Sequence, residues 1–125
     1  MNRRILVIDD DEAVRKSFIL ALEDPAYKVD AVESGEKGIE KIEDTSYDLV
    51  FLDLKMPGLN GVQTLRKLRQ MDPFVPVYIV TAFHKEFFKD LKLLSEDGIA
   101  FDLLRKPIGS DEIVQLTESI AGRIK

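Results

Sequence analysis

The sequence predicts an α/β fold, a five-stranded parallel sheet with helices on both faces, and two observations carry that prediction. Short apolar runs alternate with stretches of helical periodicity five times in 125 residues, joined by short links. The runs are also nearly continuous in apolar character, as in strands buried on both faces of a parallel sheet. Strict alternation of this kind implies right-handed crossovers, which lay helices over both faces.

Residues 4–8 form the first strand, an apolar run that stops abruptly at Asp9-Asp10-Asp11. Val14, Phe18, Ala21 and Leu22 recur at i, i+4, i+7 and i+8, giving a helix with one apolar face, Asp11 near its N-terminus and Pro25 closing it. Tyr27 to Val32 reads as the second strand. Ser34-Gly35 then opens a helix that turns Ile39 and Ile42 inward and carries Glu and Lys on its other side. The central strand, 48–53, delivers a single carboxylate, Asp53, into a turn marked by Pro57-Gly58 and Asn60-Gly61. Val62, Leu65 and Leu68 outline a third helix ending before Asp72-Pro73. Val75 to Val80 is the fourth strand and ends at Thr81-Ala82; Phe87, Phe88, Leu91 and Leu94 outline a fourth helix that Gly98 ends. Ala100 to Arg105 is the fifth strand, leading to Lys106-Pro107. Ile113, Leu116, Ile120 and Ile124 give the face of a final helix begun by Ser110 or Asp111.

Length and an apolar content of 45% suit one domain spanning residues 1–125. With 18 basic against 23 acidic residues, the net charge near -5 argues against direct binding to nucleic acid or an anionic membrane through bulk charge. The absence of cysteine excludes disulfide and thiolate chemistry and suits a reducing cytoplasm. A basic lead, Met1 to Arg4, is followed by only four apolar residues before three acids, which fits neither a signal peptide nor a membrane span. The expected location is cytoplasmic.

In such a sheet all C-terminal strand ends lie on one edge, so Asp9, Asp10, Asp53, Thr81 and Lys106 can converge there. Singly, each has an ordinary explanation: Asp53 begins a polar loop, Asp9-Asp10 caps a helix, Thr81 is a turn hydroxyl and Lys106 is solvated. Jointly they suggest chemistry. Three carboxylates at close range repel unless a cation sits among them, and hard oxygen ligands suit Mg2+ or Mn2+. A lysine, a hydroxyl and a metal would each take one phosphoryl oxygen, which meets the electrostatic needs of phosphoryl transfer with Asp53 as nucleophile.

The motifs Ile5-Leu-Val-Ile-Asp9-Asp10-Asp11, Asp48-Leu-Val-Phe-Leu-Asp53-Leu-Lys-Met-Pro57-Gly-Leu-Asn-Gly61, Val80-Thr81-Ala82 and Phe101-Asp-Leu-Leu-Arg-Lys106-Pro107 together resemble a receiver domain of the two-component response regulators. The resemblance covers the whole chain and implies a flavodoxin-like (βα)5 receiver fold. It further implies that Asp53 accepts a phosphoryl group from a histidine kinase or histidine phosphotransfer protein. In that frame Asp10 binds Mg2+ directly, Asp9 acts through metal-bound water, and the main-chain carbonyl of Lys55 completes the protein ligands. Thr81 and Lys106 engage the phosphoryl oxygens, and Lys106-Pro107 is expected to be cis. The resemblance also implies an output partner or output domain, and a homodimer face made of helix 4, strand 5 and helix 5.

Several positions depart from the family pattern. Asn60 stands where Asp is frequent, and Leu103 where many receivers carry a switching Tyr or Phe. Phe101 shares the strand parity of Leu103 but is expected to pack as core. The stretch from Thr81 to Lys106 is about three residues longer than the family leads one to expect, which adds nearly a turn around Phe83 to Asp90. Phe87-Phe88 is read as core, with an exposed docking patch as the alternative, and His84 as a solvated loop residue. Lys55 and Phe83 occupy the two positions that tune phosphate lifetime in the family, and their bulk suggests slow self-dephosphorylation. Two rival readings are a small phosphohydrolase resembling the haloacid dehalogenase superfamily, using Asp9-Asp10-Asp11, and a binding module that works without phosphorylation.

Overall fold

A computed structural model describes residues 3–121 of the chain. Five strands alternate with five helices: β1 (Arg3–Ile8), α1 (Glu12–Ala21), β2 (Tyr27–Val32), α2 (Gly35–Asp44), β3 (Leu49–Leu52), α3 (Gly61–Met71), β4 (Val77–Thr81), α4 (Phe88–Glu96), β5 (Asp102–Arg105) and α5 (Ser110–Ala121). All strand pairs are parallel and the order is β2-β1-β3-β4-β5. The chain reverses its direction of growth between β1 and β3, the place where open sheets of this order form a ligand crevice.

Two apolar layers sandwich the sheet because successive strand residues point to opposite faces. Ile5, Val7, Leu49 and Phe51 join Phe18 of α1, Leu22 at its C-terminal cap and Ile113 of α5 on one face. Leu6, Ile8, Val50 and Leu52 join Ile39 and Ile42 of α2, Leu65 and Leu68 of α3, and Leu91 and Leu94 of α4 on the other. The continuous apolar runs of β1 and β3 are thus explained by burial on both sides.

Local signals set the helix ends. Asp11 caps α1 by accepting the Ala13 N–H at 2.9 Å, and Ser34 caps α2 by accepting that of Lys37. Asn60 forms a reciprocal capping box with Gln63, so amide and carboxylate are interchangeable for this duty and the Asn60 departure is mild. At the end of α4, Gly98 takes φ +75°, with Gly98 N–H bonded to Ser95 O and Ile99 N–H to Leu94 O. Gly61 is required for a different reason. A Cβ there would lie 2.2 Å from the Asp53 carbonyl oxygen, so only glycine lets α3 start against the end of β3.

Several sequence expectations are corrected in detail. The fourth strand begins at Val77 rather than Val75, because Pro76 has no N–H for the ladder, and it includes Thr81. The fifth is only Asp102–Arg105, an edge strand paired to β4 alone, so Ala100 and Phe101 precede it. Phe87-Phe88 does not act as a pair. Phe87 is the residue that caps the start of α4, outside the helix, and packs inward, while Phe88 is the first helical residue and is 66% exposed. His84 is half-buried rather than solvated, its Nδ1 shielded and without a hydrogen-bond partner. Ile124 lies outside the described residues. The turn expected in the lengthened segment is present as Phe83–Phe87, closed by Phe87 N–H to Phe83 O at 3.3 Å. The Lys106-Pro107 bond is cis. No helix among the described residues is long and apolar enough to cross a membrane.

Thr117 of α5 is fully buried and its hydroxyl has no hydrogen-bond partner. A desolvated hydroxyl of this kind costs stability that an isosteric methyl does not, so Thr117→Val is expected to raise the unfolding free energy by about 1 kcal/mol. Urea denaturation of the two proteins checks this.

Candidate functional site

β1, β3, β4 and β5 end on one edge of the sheet, and the polar residues that end them assemble there. Asp9 leaves β1 with its N–H bonded to Val32 O and its carbonyl held by Arg15 Nη1 at 2.8 Å. Its side chain, 3% exposed, accepts the Asp11 N–H through Oδ1 and meets Lys106 Nζ through Oδ2, at 2.9 and 2.8 Å. Asp53 follows β3 with its N–H bonded to Ile8 O at 2.9 Å, which ties it to the end of β1. Its Oδ1 accepts the Leu54 N–H at 2.8 Å, while Oδ2 lies 3.6 Å from Lys106 Nζ. Asp10 is exposed at the rim. Asp9, Asp10 and Asp53 nevertheless each offer a carboxylate oxygen within 4.8 Å of the others.

Burial is what makes this cluster unusual. Desolvation raises the Asp53 carboxyl to about 6, the Asp9 charge adds to the rise, and the Lys106 charge and the Leu54 N–H oppose it. For Lys106, burial favours the neutral amine, but the hydrogen bond to Asp9 and the charges of Asp53 and Asp9 outweigh it, so its affinity for the proton is raised. One ammonium therefore faces three carboxylates. The remaining negative charge, presented by hard oxygens, fits a divalent cation such as Mg2+.

Thr81 is fully buried at the end of β4, and its carbonyl accepts the Lys106 N–H at 3.0 Å. Its hydroxyl oxygen accepts the Phe83 N–H at 3.0 Å, so it is held by its own loop rather than by the acids. Lys55 stands on the loop after β3 with its ammonium 4.5 Å from the centroid of the Phe83 ring. Phe101 packs against the apolar layer and, together with the 39%-exposed Leu103, Phe88 and Leu91, lines a shallow apolar depression on the α4–β5 side. Two participants were not visible in the sequence. Arg15, which fixes the Asp9 main chain, and Glu86, 3.4 Å from Lys55 Nζ, are brought in by tertiary structure.

This is the arrangement of an α/β domain with an acidic site at the carboxyl edge of its sheet, and comparison with known proteins gives its family. The model of the response regulator receiver domain matches residues 5–118. The chain is 35% identical over 98% of its length to the alkaline phosphatase synthesis transcriptional regulatory protein PhoP of Bacillus subtilis, covering 50% of that protein. It is 30% identical over 98% of its length to the cell cycle transcriptional regulator CtrA of Caulobacter vibrioides, covering 52% of that protein. Its fold matches the crystal structure of a CheY-like response regulator receiver domain protein from Methanospirillum hungatei with a TM-score of 0.87, at 24% identity, covering 98% of this chain and 96% of that one. The chain belongs to the response regulator receiver domain family of two-component systems. It spans about half the length of the curated relatives it matches. Neither the phosphohydrolase reading nor the phosphorylation-independent module gains support.

The raised Asp53 pKa has a sign that can be measured. Its folded value of about 6 exceeds the ordinary 3.8, so the folded state holds an extra proton between those values. Stability from this group is then complete below about pH 4 and is lost as the pH rises through about 6. Without metal, Asp53→Asn is expected to raise the unfolding free energy at neutral pH by about 1–3 kcal/mol, a gain that shrinks as the pH falls through that window. Urea titrations at a series of pH values check both the magnitude and the trend.

Proposed function

We propose that Asp53 is the phosphoacceptor of this receiver domain and that residues 1–125 act as one phosphorylation-dependent switch. The observation that carries the proposal is the convergence of buried Asp53 with Asp9, Asp10 and Lys106 on one sheet edge. Asp9, Asp10, Asp53 and the main-chain carbonyl of Lys55 would hold Mg2+ or Mn2+, with Asp9 acting through metal-bound water. Bound there, the cation supplies positive charge that neutralises the acids and stabilises charge building on phosphoryl oxygens.

The chain's own residues then account for transfer. The Leu54 N–H orients the Asp53 carboxylate through Oδ1 and leaves Oδ2 on the Lys106 side of the site. A carboxylate oxygen of Asp53 attacks phosphorus in line, forming an O–P bond as the P–N bond of a donor phosphohistidine breaks and the imidazole leaves. Lys106 passes from the carboxylates to a phosphoryl oxygen. Thr81 gives up its bond from the Phe83 N–H and donates its hydroxyl to another phosphoryl oxygen. That exchange links the acid to the β4–α4 loop and is the route by which modification alters partner affinity.

The donor is a histidine kinase or histidine phosphotransfer protein. An apolar groove lined by Ala13, Val14, Ser17, Ala82, Pro107 and Ile108, with Lys106 at its edge, leaves room beside the site for such a partner. With Leu103 in place of an aromatic, output runs through Thr81 and the α4 surface, and the α4–β5–α5 face is assigned to a homodimer or output contact. The cytoplasm is the compartment where this exchange takes place, with no direct nucleic-acid or membrane contact by this domain.

Intact-mass measurement after incubation with acetyl phosphate and Mg2+ is expected to show one added phosphoryl group, absent in Asp53→Asn and after chelation of the metal. Mg2+ alone is expected to raise the melting temperature of the unmodified protein, and Asp10→Asn to abolish that rise. Once donor is removed, the phosphoryl group is expected to decay slowly, because Lys55 and Phe83 crowd the path of in-line water. Decay within seconds would overturn that last expectation.

A further inference from the structure

We infer that Glu86 is a positioning residue of the phosphoryl-transfer site, holding the Lys55 side chain across the Phe83 ring and so latching the β3–α3 and β4–α4 loops together. The inference rests on the assignment of Asp53 as phosphoacceptor. Lys55 lies two positions after Asp53, and Phe83 two positions after Thr81, so both loops spring from strand ends at the site. The Lys55 ammonium is 4.5 Å from the Phe83 ring centroid and 3.4 Å from Glu86 Oε1. The Phe83–Phe87 turn sets Glu86 beside Phe83 on the same loop, closed by the Phe87 N–H to Phe83 O bond at 3.3 Å. Phe83 also uses its own N–H to retain the Thr81 hydroxyl, at 3.0 Å. One loop thereby grips both the lysine from the neighbouring loop and the hydroxyl needed in the site.

Each contact alone is weak. Lys55 and Glu86 side chains are each 52% exposed, and exposed ion pairs contribute little by themselves. Their combination matters because a long, flexible ammonium is confined at once by a carboxylate and an aromatic face. While latched, Lys55 is committed to Glu86 and Phe83 rather than to an approaching phosphate anion. Glu86 touches no reacting atom and works through Lys55.

The test follows acetyl-phosphate labelling of Asp53 with Mg2+ in wild type, Glu86→Gln, Lys55→Met and the double variant. Glu86→Gln is expected to raise the initial rate about two- to fivefold at low salt, the range open to an exposed pair. It is expected to have no effect in the Lys55→Met background, since a double-mutant cycle isolates action through that lysine. The advantage should fade toward unity near 1 M salt, where the screening length falls to about 3 Å. In NMR spectra the Lys55 ε-protons of wild type should be shifted upfield by the Phe83 ring, and Glu86→Gln should remove the shift. If Asp53 is labelled but Glu86→Gln matches wild type, or its effect persists unchanged without Lys55, the role of Glu86 is overturned while the phosphoacceptor assignment stands. If wild-type Asp53 takes no phosphoryl group, that assignment fails and the role of Glu86 falls with it.

Discussion

The contact between Lys106 and the buried acids Asp9 and Asp53 is the constraint on which the site depends. Two carboxylates exposed by only 3% and 4% cannot remain charged side by side without a counter-charge. Lys106 supplies part of it at 2.8 Å from Asp9 and 3.6 Å from Asp53. The compensation is incomplete, which is why Asp53 stays reluctant to ionise and why a divalent cation fits the set.

The fold exists around that edge as a set of short-range agreements. Parallel strands with both faces buried bring their carboxyl ends to one side, and the direction of growth reverses between β1 and β3, where Asp9, Asp10 and Asp53 emerge. Backbone bonds then fix the spacing: Asp53 N–H to Ile8 O joins β3 to β1, and Lys106 N–H to Thr81 O joins β5 to β4. Gly61 lets α3 begin hard against the Asp53 main chain. The acids therefore sit directly after strand ends and Thr81 ends β4, while Lys55 and Phe83 belong to the loops beyond.

The features legible in the sequence are those with a local cause. Strand runs, helix faces, the Asp11 and Ser34 caps and the Gly98 terminus follow from periodicity and from side chains that bond their own neighbourhood. The candidate site was legible too, because parallel βα alternation brings four distant strand ends to one edge. Less legible were the limits of β5, whose edge position leaves Phe101 outside the ladder, and the division of labour between Phe87 and Phe88. Adjacent aromatics look equivalent in a sequence, yet the boundary of α4 falls between them, with Phe87 buried at the cap and Phe88 exposed on the first turn.

The sequence by itself determined the α/β alternation, the family and the residues that meet at the sheet edge, since these depend on pattern and on residue chemistry. Tertiary structure decided how those residues are engaged: Lys106 shared between Asp9 and Asp53, the Thr81 hydroxyl held by the Phe83 N–H, and Lys55 laid over Phe83 toward Glu86. The physical reason is distance along the chain. Lys55 and Glu86 are 31 residues apart, and no local propensity couples such positions until the sheet has placed their loops side by side.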